Sequence, residues 1–367
     1  MLIYSWLLYT NFMKSVDILK QRLRIQRLEG GFFDKPAQAV SWFGAVQSQD
    51  YAGAAWAICQ RTKGLTRAYF DAAFARGDIL RTHVMRPTWH FVAQEDIGWL
   101  IKLTAPRILK TLAYYYRQLE LDEKLLEKTN SAIKKALQGG KHLTKNELTE
   151  VLVQADIDTK NNLRTGHIFI HAELSGLICS GALAGKQHTF ALLEERAPNG
   201  KKLSYEQALT ELAKRYFTSH GPATLRDFTW WSGLTLAEAK AGLKTIETQL
   251  KNITVANQTF WFVPSAKLPA LAEPCLHLLP NYDEYIVAYS DRTWLFDTKH
   301  NDKLDSRQNP LFNNVIISDG RIIGTWKRTG SGKSQNIETK VFESLSKAQL
   351  SKLDDLKNEF LKRHSKT

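Results

Sequence analysis

The spacing of hydrophobic residues in the first quarter of the chain is helical at first and alternating afterwards. Leucine and isoleucine recur at helical intervals over 15–28, and similar spacing predicts helices over 37–46 and 66–76. Apolar and polar residues then alternate over 79–85 and 88–92, which predicts two strands joined by a tight turn. Three helices followed by a β-hairpin predict a winged helix.

The same order of patterns recurs twice further along the chain. In the second pass, Thr144 and Glu147 form a capping-box pattern at the start of a helix. We predict a helix-turn-helix pair over 144–156 and 165–179. The third pass ends in a predicted hairpin at 253–263. The other elements predicted for these passes are helices at 105–119, 122–137, 205–219, 224–232 and 236–250, and a short hairpin at 181–193.

A β-rich pattern begins after Pro264. Residues 276–296 and 315–330 alternate between apolar and polar, which predicts strands, one of them at 285–289. Asp319-Gly320 has the composition of a hairpin turn. The fold class is therefore α+β, with tandem winged-helix (helix-turn-helix) domains before a β-rich domain. The predicted parts are an N-terminal extension at 1–14, winged-helix domains at 15–103, 104–200 and 201–270, a β-rich domain at 271–345 and a C-terminal helix at 346–367.

Charge and cysteine content narrow the choice of partner and compartment. The 367 residues carry a formal net charge of +13, which favours a polyanionic partner such as double-stranded DNA. Three cysteines far apart, without a CxxC pair, fit a reducing cytoplasm. The apolar opening lacks the features of a signal peptide, and translation from Met13 is an alternative to Met1. No segment has the uninterrupted apolar length of a membrane span, so we expect no membrane partner.

The polar segment Gln47-Ser48-Gln49-Asp50 directly follows an apolar run. If the chain is extended there, Gln47 and Gln49 point the same way, whereas on a helix they diverge. A glutamine side chain cannot abstract a proton at neutral pH, but it both donates to and accepts from a water molecule. The pair therefore suits a reaction that needs a positioned water. The alternative is two solvated glutamines beside a helix-terminal Asp50.

Two groups of cations and polar residues are candidates for DNA contact. The first is on the hairpin of the first pass and consists of Arg81, His83, Arg86 and His90. Such a hairpin could straddle phosphates, or its charges could protect an exposed sheet edge. The second group begins the predicted recognition helix of the second pass, where base contacts are normally made. It consists of Arg164, Thr165 and His167.

Three other patterns resemble known sites but lack an essential part, and a fourth has a structural alternative. The Gly330–Ser334 stretch lacks the first glycine of a P-loop, so no nucleotide cofactor is expected. His167 and His171 have the spacing of a zinc pair without a third ligand nearby, so no metal is expected. Ser131–Lys134 matches an acyl-transfer motif without its partner motifs. The acidic residues at 283–284 and 291 could do acid–base work, but with Arg292 they more often form a structural ion-pair network.

Five blocks together resemble a known family. They are RLRIQRL, FGAVQSQD, ILRTHVMRPTWHFV, LLPNYDEYIVAYSDR and DGRIIGTWKR, in this order over about residues 18 to 328. They are similar to the bacterial winged-helix DNA glycosylases of the AlkZ/YcaQ type. The resemblance implies tandem winged-helix domains and a β-barrel-like domain around a DNA-binding cleft. The family's catalytic signature is Gln, any residue, then Gln or Asp. It falls on Gln47 and Gln49, and Ser48 departs from the usual apolar residue between them.

The resemblance implies a monofunctional glycosylase that removes alkylated purines, including those in interstrand crosslinks. A purine alkylated at N7 or N3 is already cationic and leaves without a general acid, so the protein need only place water and stabilise positive charge. We expect Gln47 and Gln49 to orient that water and Asp50 to assist or brace the loop. We add Lys327 and Arg328, which end the fifth block, to the expected DNA contacts. The protein is expected to be a cytoplasmic monomer without cofactor. The alternatives are a winged-helix transcription regulator and a non-catalytic DNA-binding protein.

Overall fold

The computed structural model describes residues 15–264, 270–330 and 334–364. Within these ranges the helices, α1 to α14 in chain order, are Ser15–Ile25, Pro36–Phe43, Tyr51–Gln60, Arg67–Arg76, Ile97–Gln118, Glu123–Leu137, Lys145–Gln154, Asn162–Leu174, Leu193–Arg196, Tyr205–Ser219, Leu225–Ser232, Leu236–Ile246, Glu284–Val287 and Lys347–His364. The strands, β1 to β12, are Val46–Gln47, Ile79–Val84, Thr88–Ala93, Leu143–Thr144, Ile178–Ser180, Thr189–Leu192, Lys251–Val255, Gln258–Phe262, Leu276–Leu279, Val315–Ser318, Arg321–Thr329 and Asn336–Val341. Short 3-10 helices occupy Glu247–Gln249, Thr298–Lys303 and Pro310–Phe312.

One of two compact units joins the described residues up to Phe70 with Thr210–Trp231 and with those from Thr235 onward. Leu19, Leu23 and Leu28 of its first helical segment pack in a buried core with side chains of α13 and β10. The apolar spacing that predicts α1 therefore marks its buried face. Strands β12, β11, β10 and β9 form an antiparallel sheet in this order.

The other unit consists of Asp71–Leu209 and Ser232–Leu234. Its hairpin pairs β2 with β3 in register from Ile79–Ala93 to Val84–Thr88. Its main core lies between α6, α7 and α8, and it includes Ile133, Leu148 and Ile168. Beside these helices, β6 pairs with β4 and β5 in a three-stranded sheet. A helix, a strand, two helices and two strands thus follow each other from α6 to β6.

This order of elements occurs three times along the chain. It runs first from α2 to β3 and then from α6 to β6. In the third pass, from α10 to β8, an isolated bridge of Ala223 to Trp261 takes the place of the first strand. The described chain thus repeats one order of helices and strands, although the first pass uses the unpredicted helix α3 where the sequence pattern assigned residues 15–28.

Predictions that depend on a few neighbouring residues are confirmed. Thr144 and Glu147 form the capping box at the start of α7. Asn257 lies in the turn of the β7–β8 hairpin with a positive φ of 61°. Asp319 and Gly320 turn the β10–β11 hairpin with φ values of 50° and 87°. Each of these features is fixed by contacts within about four residues.

Two predictions for the unit that contains α13 and the β12-β11-β10-β9 sheet are wrong, and one of its helices was not predicted. Residues 285–289 are not a strand, because the Asp283 side chain accepts from the Tyr285 N–H and starts the short helix α13. The helix Tyr51–Gln60 shows no clear apolar periodicity, because seven of its ten residues are buried. Among the described strands, the sheet β12-β11-β10-β9 is open rather than closed into a barrel.

Some predicted features lie outside the described residues. These are the extension at 1–14 and the centre of the Gly330–Ser334 stretch. The boundaries of the six predicted parts stay a prediction. No helix in the described ranges combines the length and the hydropathy that crossing a bilayer requires.

Candidate active site

The two glutamines lie in the connection between α2 and α3. Gly44 ends α2 with a φ of 81°, and its N–H donates to the carbonyls of Val40 and Ser41. The helix therefore stops three residues earlier than the periodicity predicts, and Val46–Gln47 is extended. Of the two conformations considered for this segment, the extended one is present at Gln47. The side chains differ in environment, because Gln47 is 6% exposed and Gln49 is exposed.

A buried carboxylate holds the backbone of Gln47. The Gln47 N–H donates to Oε1 of Glu284 at 2.8 Å, and Glu284 is 2% exposed. The other oxygen of Glu284 accepts from Trp231 Nε1 at 2.9 Å and lies 3.3 Å from His220 Nε2. Burial lowers the pKa of His220, and its hydrogen bond to the Glu284 carboxylate opposes this shift. No sequence signal connects Glu284 with the two glutamines, since the two segments are distant along the chain.

An ion pair fixes the turn that carries Glu284. Arg61 donates to both carboxylate oxygens of Asp283, at 2.8 and 2.9 Å, and both side chains are buried. Arg61 also donates to the Gln26 carbonyl at 3.0 Å. Such a planar, two-point contact restrains both partners. For Asp283 the geometry therefore supports the structural ion-pair interpretation over acid–base work.

Asp50 caps the helix that follows the glutamines. Its Oδ1 accepts from the N–H groups of Ala52 and Gly53 at 3.0 and 3.1 Å. A Cβ atom on Gly53 would lie 3.0 Å from Asn281 Oδ1 and 3.0 Å from Asp50 Oδ2. The buried Asn281 Oδ1 has no hydrogen-bond partner within the described part of the chain. The Asp50 carboxylate and the side-chain carbonyl oxygen of Asn281 thus both lie close to Gly53. Like Glu284, Asn281 was not identified from the sequence.

The four cationic or ionisable side chains of the predicted hairpin cluster lie largely inside their unit. Arg81, His83 and His90 are buried, and Arg86 at the turn is partly buried. The Arg81 guanidinium lies over the Trp89 ring, 4.2 Å from its centroid, and His83 Nδ1 lies 2.6 Å from Glu173. Burial lowers the pKa of His90 to about 3, with Arg86 and His83 adding to this shift and the Thr88 carbonyl opposing it.

The residues predicted to begin a recognition helix also point mainly into their unit. Arg164 is partly buried and donates to the backbone carbonyls of Leu119 and Asp158. Thr165 is buried, and its hydroxyl donates to neighbouring carbonyl oxygens. His167 is buried and stacks on Tyr115 with ring centroids 5.5 Å apart. These contacts stabilise the start of the helix. They leave few polar atoms of the three side chains free to hydrogen-bond to the edge of a DNA base.

The last two predicted DNA contacts are exposed on β11 in the other unit. Lys327 lies opposite Glu338 on β12, and their side chains form an ion pair of 2.8 Å. Arg328 follows it on the same strand and is exposed. An exposed ion pair of this kind contributes little stability and opens readily. Both cations can therefore reach an anionic partner.

The sequence of this chain matches the family model of AlkZ-like DNA glycosylases over residues 40–362. The chain belongs to the AlkZ-like DNA glycosylase family. Among curated proteins, it is similar to an interstrand DNA cross-link repair glycosylase of Streptomyces sahachiroi. The two are 24% identical over 325 residues, which cover 85% of this chain and 87% of the relative.

A solved structure of an AlkZ-like glycosylase has the same fold. The structure of Streptomyces sahachiroi DNA glycosylase AlkZ superposes with a TM-score of 0.78, at 17% identity and with 96% of both chains covered. DNA glycosylases are hydrolases of N-glycosidic bonds. Family membership confirms the predicted DNA glycosylase over the alternative of a transcription regulator.

Proposed function

We propose that this chain is a monofunctional glycosylase of duplex DNA, and that its substrates are purines alkylated at N7 or N3, including those in interstrand crosslinks. The Streptomyces relative, an interstrand DNA cross-link repair glycosylase, supports the crosslinked part of this proposal. The +13 net charge supports binding to the DNA backbone.

The chemistry needs no strong base. When the bond from C1′ to the purine breaks, its electron pair neutralises the cationic base, and the sugar becomes oxocarbenium-like. A water oxygen then bonds to C1′, and its proton passes to solvent. We assign the placement of this water and the stabilisation of the sugar charge to the amides of Gln47 and Gln49. We assign the bracing of the loop to Asp50, because its carboxylate caps α3.

The hydrogen bond from the Gln47 N–H to Glu284 carries the proposal. An amide stabilises a developing charge best when it cannot reorient, and a buried carboxylate with three polar neighbours restrains this backbone. A pair of solvated glutamines beside a helix would not require such an anchor.

We further infer that the three passes of elements are winged-helix domains. The order helix, strand, two helices and two strands, with β6 between β4 and β5, supports this inference. Among the predicted DNA contacts, we propose that Arg86, Lys327 and Arg328 neutralise phosphates. We propose that the protein acts as a monomer without a nucleotide cofactor.

The test is the release of 7-methylguanine from alkylated duplex DNA by a variant with Gln47→Ala and Gln49→Ala. We expect release to fall at least about a hundredfold, the loss typical of removing preorganised polar groups. Binding of the same duplex should persist, because backbone contacts dominate affinity. Gln138→Ala, at an exposed position after α6, is the matched control and should release base normally. Unchanged release by the double variant would remove the assignment.

A further inference from the structure

Three side chains of different chemistry meet in the unit that also contains the two glutamines. They are Glu29, in the turn after α1, Cys275, just before β9, and His277, on β9. Because side chains alternate along an extended chain, Cys275 and His277 point to the same side. Cys275 is fully buried, and Glu29 and His277 are mostly buried.

The three ligand atoms form a small triangle. His277 Nε2 lies 3.0 Å from Glu29 Oε1, Cys275 Sγ lies 3.5 Å from the same oxygen, and Cys275 Sγ lies 3.7 Å from His277 Nε2. In a tetrahedral zinc site, bond lengths of about 2.0–2.3 Å place neighbouring N, O and S ligands about 3.3–3.6 Å apart. The triangle therefore matches one face of such a site within a few tenths of an ångström.

We propose that Glu29, Cys275 and His277 form a zinc site. Sulfur, imidazole nitrogen and carboxylate oxygen are the ligand types that zinc takes in proteins. Binding replaces the Cys275 S–H bond with a sulfur–zinc bond, and the released proton passes to solvent. The thiolate and the Glu29 carboxylate together neutralise the divalent charge, which suits a mostly buried position.

The surroundings provide an orienting contact and a space for a fourth ligand. Glu29 Oε2 accepts from the Ala272 N–H at 3.2 Å, which leaves Oε1 turned towards Cys275 and His277. Contacts of this kind orient the ligands of metal sites. A cleft of 340 Å³, lined in part by Glu29, Gln60, Lys63 and His277, lies beside the triangle. Water from this cleft completes the tetrahedron.

The site joins the end of α1 to the strand that leads towards Glu284. Glu29 follows α1 closely, and His277 lies on β9, which precedes the Asp283–Glu284 turn. A metal that links these two segments stabilises the folded chain, because the ligands are not assembled when it is unfolded. Zinc should therefore raise the melting temperature of the full-length protein.

Zinc binding to the full-length protein, first stripped with a chelator, tests the proposal. Competition titration should show one zinc per chain, and Cys275→Ser or His277→Ala should weaken binding at least about a hundredfold, as expected when one of three protein ligands is removed. Cys179→Ser is the matched control, because Cys179 is also fully buried but belongs to the other unit. Cobalt loading should give a thiolate-to-metal absorption band in the parent and in the control, but not in Cys275→Ser.

Equal zinc binding by the parent and by Cys275→Ser would overturn the proposal and leave a hydrogen-bonded triad only. If circular dichroism shows that Cys275→Ser does not fold, Glu29→Gln provides the second test. This substitution keeps the shape of the side chain but removes its negative charge. Equal affinity of Glu29→Gln and the parent would also overturn it. These readouts do not depend on catalysis. A chain that binds zinc but leaves alkylated DNA intact would contradict the proposed function alone.

Discussion

The backbone N–H of Gln47 donates a hydrogen bond of 2.8 Å to Oε1 of Glu284, a residue 237 positions later in the chain. The carboxylate that receives it is buried and also accepts from Trp231. The proposed catalytic segment is thus positioned by a residue that does not belong to its motif. We infer that Glu284 is a positioning residue, which acts through Gln47.

Glu284→Gln should slow base release without weakening DNA binding. The new amide can still accept from Gln47, but its NH₂ group then faces the Trp231 N–H, and two donors repel each other. A resulting shift of the Gln47 backbone should lower the single-turnover rate by between about ten- and a hundredfold. Glu123→Gln, at an exposed carboxylate, is the control.

Glu284→Ala should mainly destabilise the protein. It leaves the buried N–H groups of Gln47 and Trp231 without their acceptor, which costs about 1–3 kcal/mol for each group in the free energy of unfolding. Urea unfolding measures this loss. A variant as stable as the parent would show that water or another group replaces the carboxylate.

Gly53→Ala should destabilise the protein and slow base release. The added Cβ would lie 3.0 Å from Asp50 Oδ2 and 3.1 Å from Pro280 Cβ. Both the Asp50 side chain and Pro280 must therefore shift by a few tenths of an ångström. Overpacking of this kind costs about 1–3 kcal/mol. Gly98→Ala, also within a helix, meets open space and should instead raise stability by up to about 1 kcal/mol. Thermal unfolding and base release of the two variants, compared side by side, check the contrast.

Arg86→Ala and Arg328→Ala should each weaken DNA binding and reduce its salt dependence. Loss of one phosphate contact lowers the slope of log affinity against log salt by about one. Arg81→Ala should leave the slope unchanged, because its guanidinium packs on Trp89. Fluorescence anisotropy over a salt series measures all three. Equal slopes for Arg86→Ala, Arg328→Ala and the parent would remove these residues from the DNA contacts.

His90 should make stability fall as the pH is lowered below about 6.5, the usual pKa of histidine. Its pKa in the folded protein is about 3, because it is buried: Nδ1 lies 3.0 Å from the Thr88 carbonyl, and Nε2 has no partner among the described residues. Between these two pH values only the unfolded chain takes up the proton. The free energy of unfolding therefore decreases by about 1.4 kcal/mol for each pH unit lost in this window.

The matched variant for this effect is His90→Asn, whose side-chain NH₂ can replace the Nδ1–H donor. Urea unfolding at several pH values gives the slope of the free energy of unfolding against pH. In the variant this slope should correspond to about one proton fewer taken up on unfolding. Identical slopes in the parent and the variant would mean that His90 takes up its proton at the same pH in the folded and the unfolded protein.

Local features of the fold were predictable where a few neighbouring residues determine them. The capping box at Thr144 and the turn at Asp319-Gly320 are examples, since each depends on short-range hydrogen bonds or on backbone preference. The sequence pattern did not predict helix Tyr51–Gln60, and it assigned residues 285–289 to a strand. Both errors have the same cause. Both segments are apolar on all sides, so burial removes the periodicity that identifies an element.

The sequence by itself determined the family signature, the basic charge and the position of the two glutamines in a connection between helices. Only the tertiary structure decided that Glu284 anchors Gln47, that Arg81, His83 and His90 are buried, and that Glu29 meets Cys275 and His277. The physical reason is distance along the chain. Motifs and charge are properties of nearby residues, whereas burial and pairing depend on which distant segments the packed core brings together.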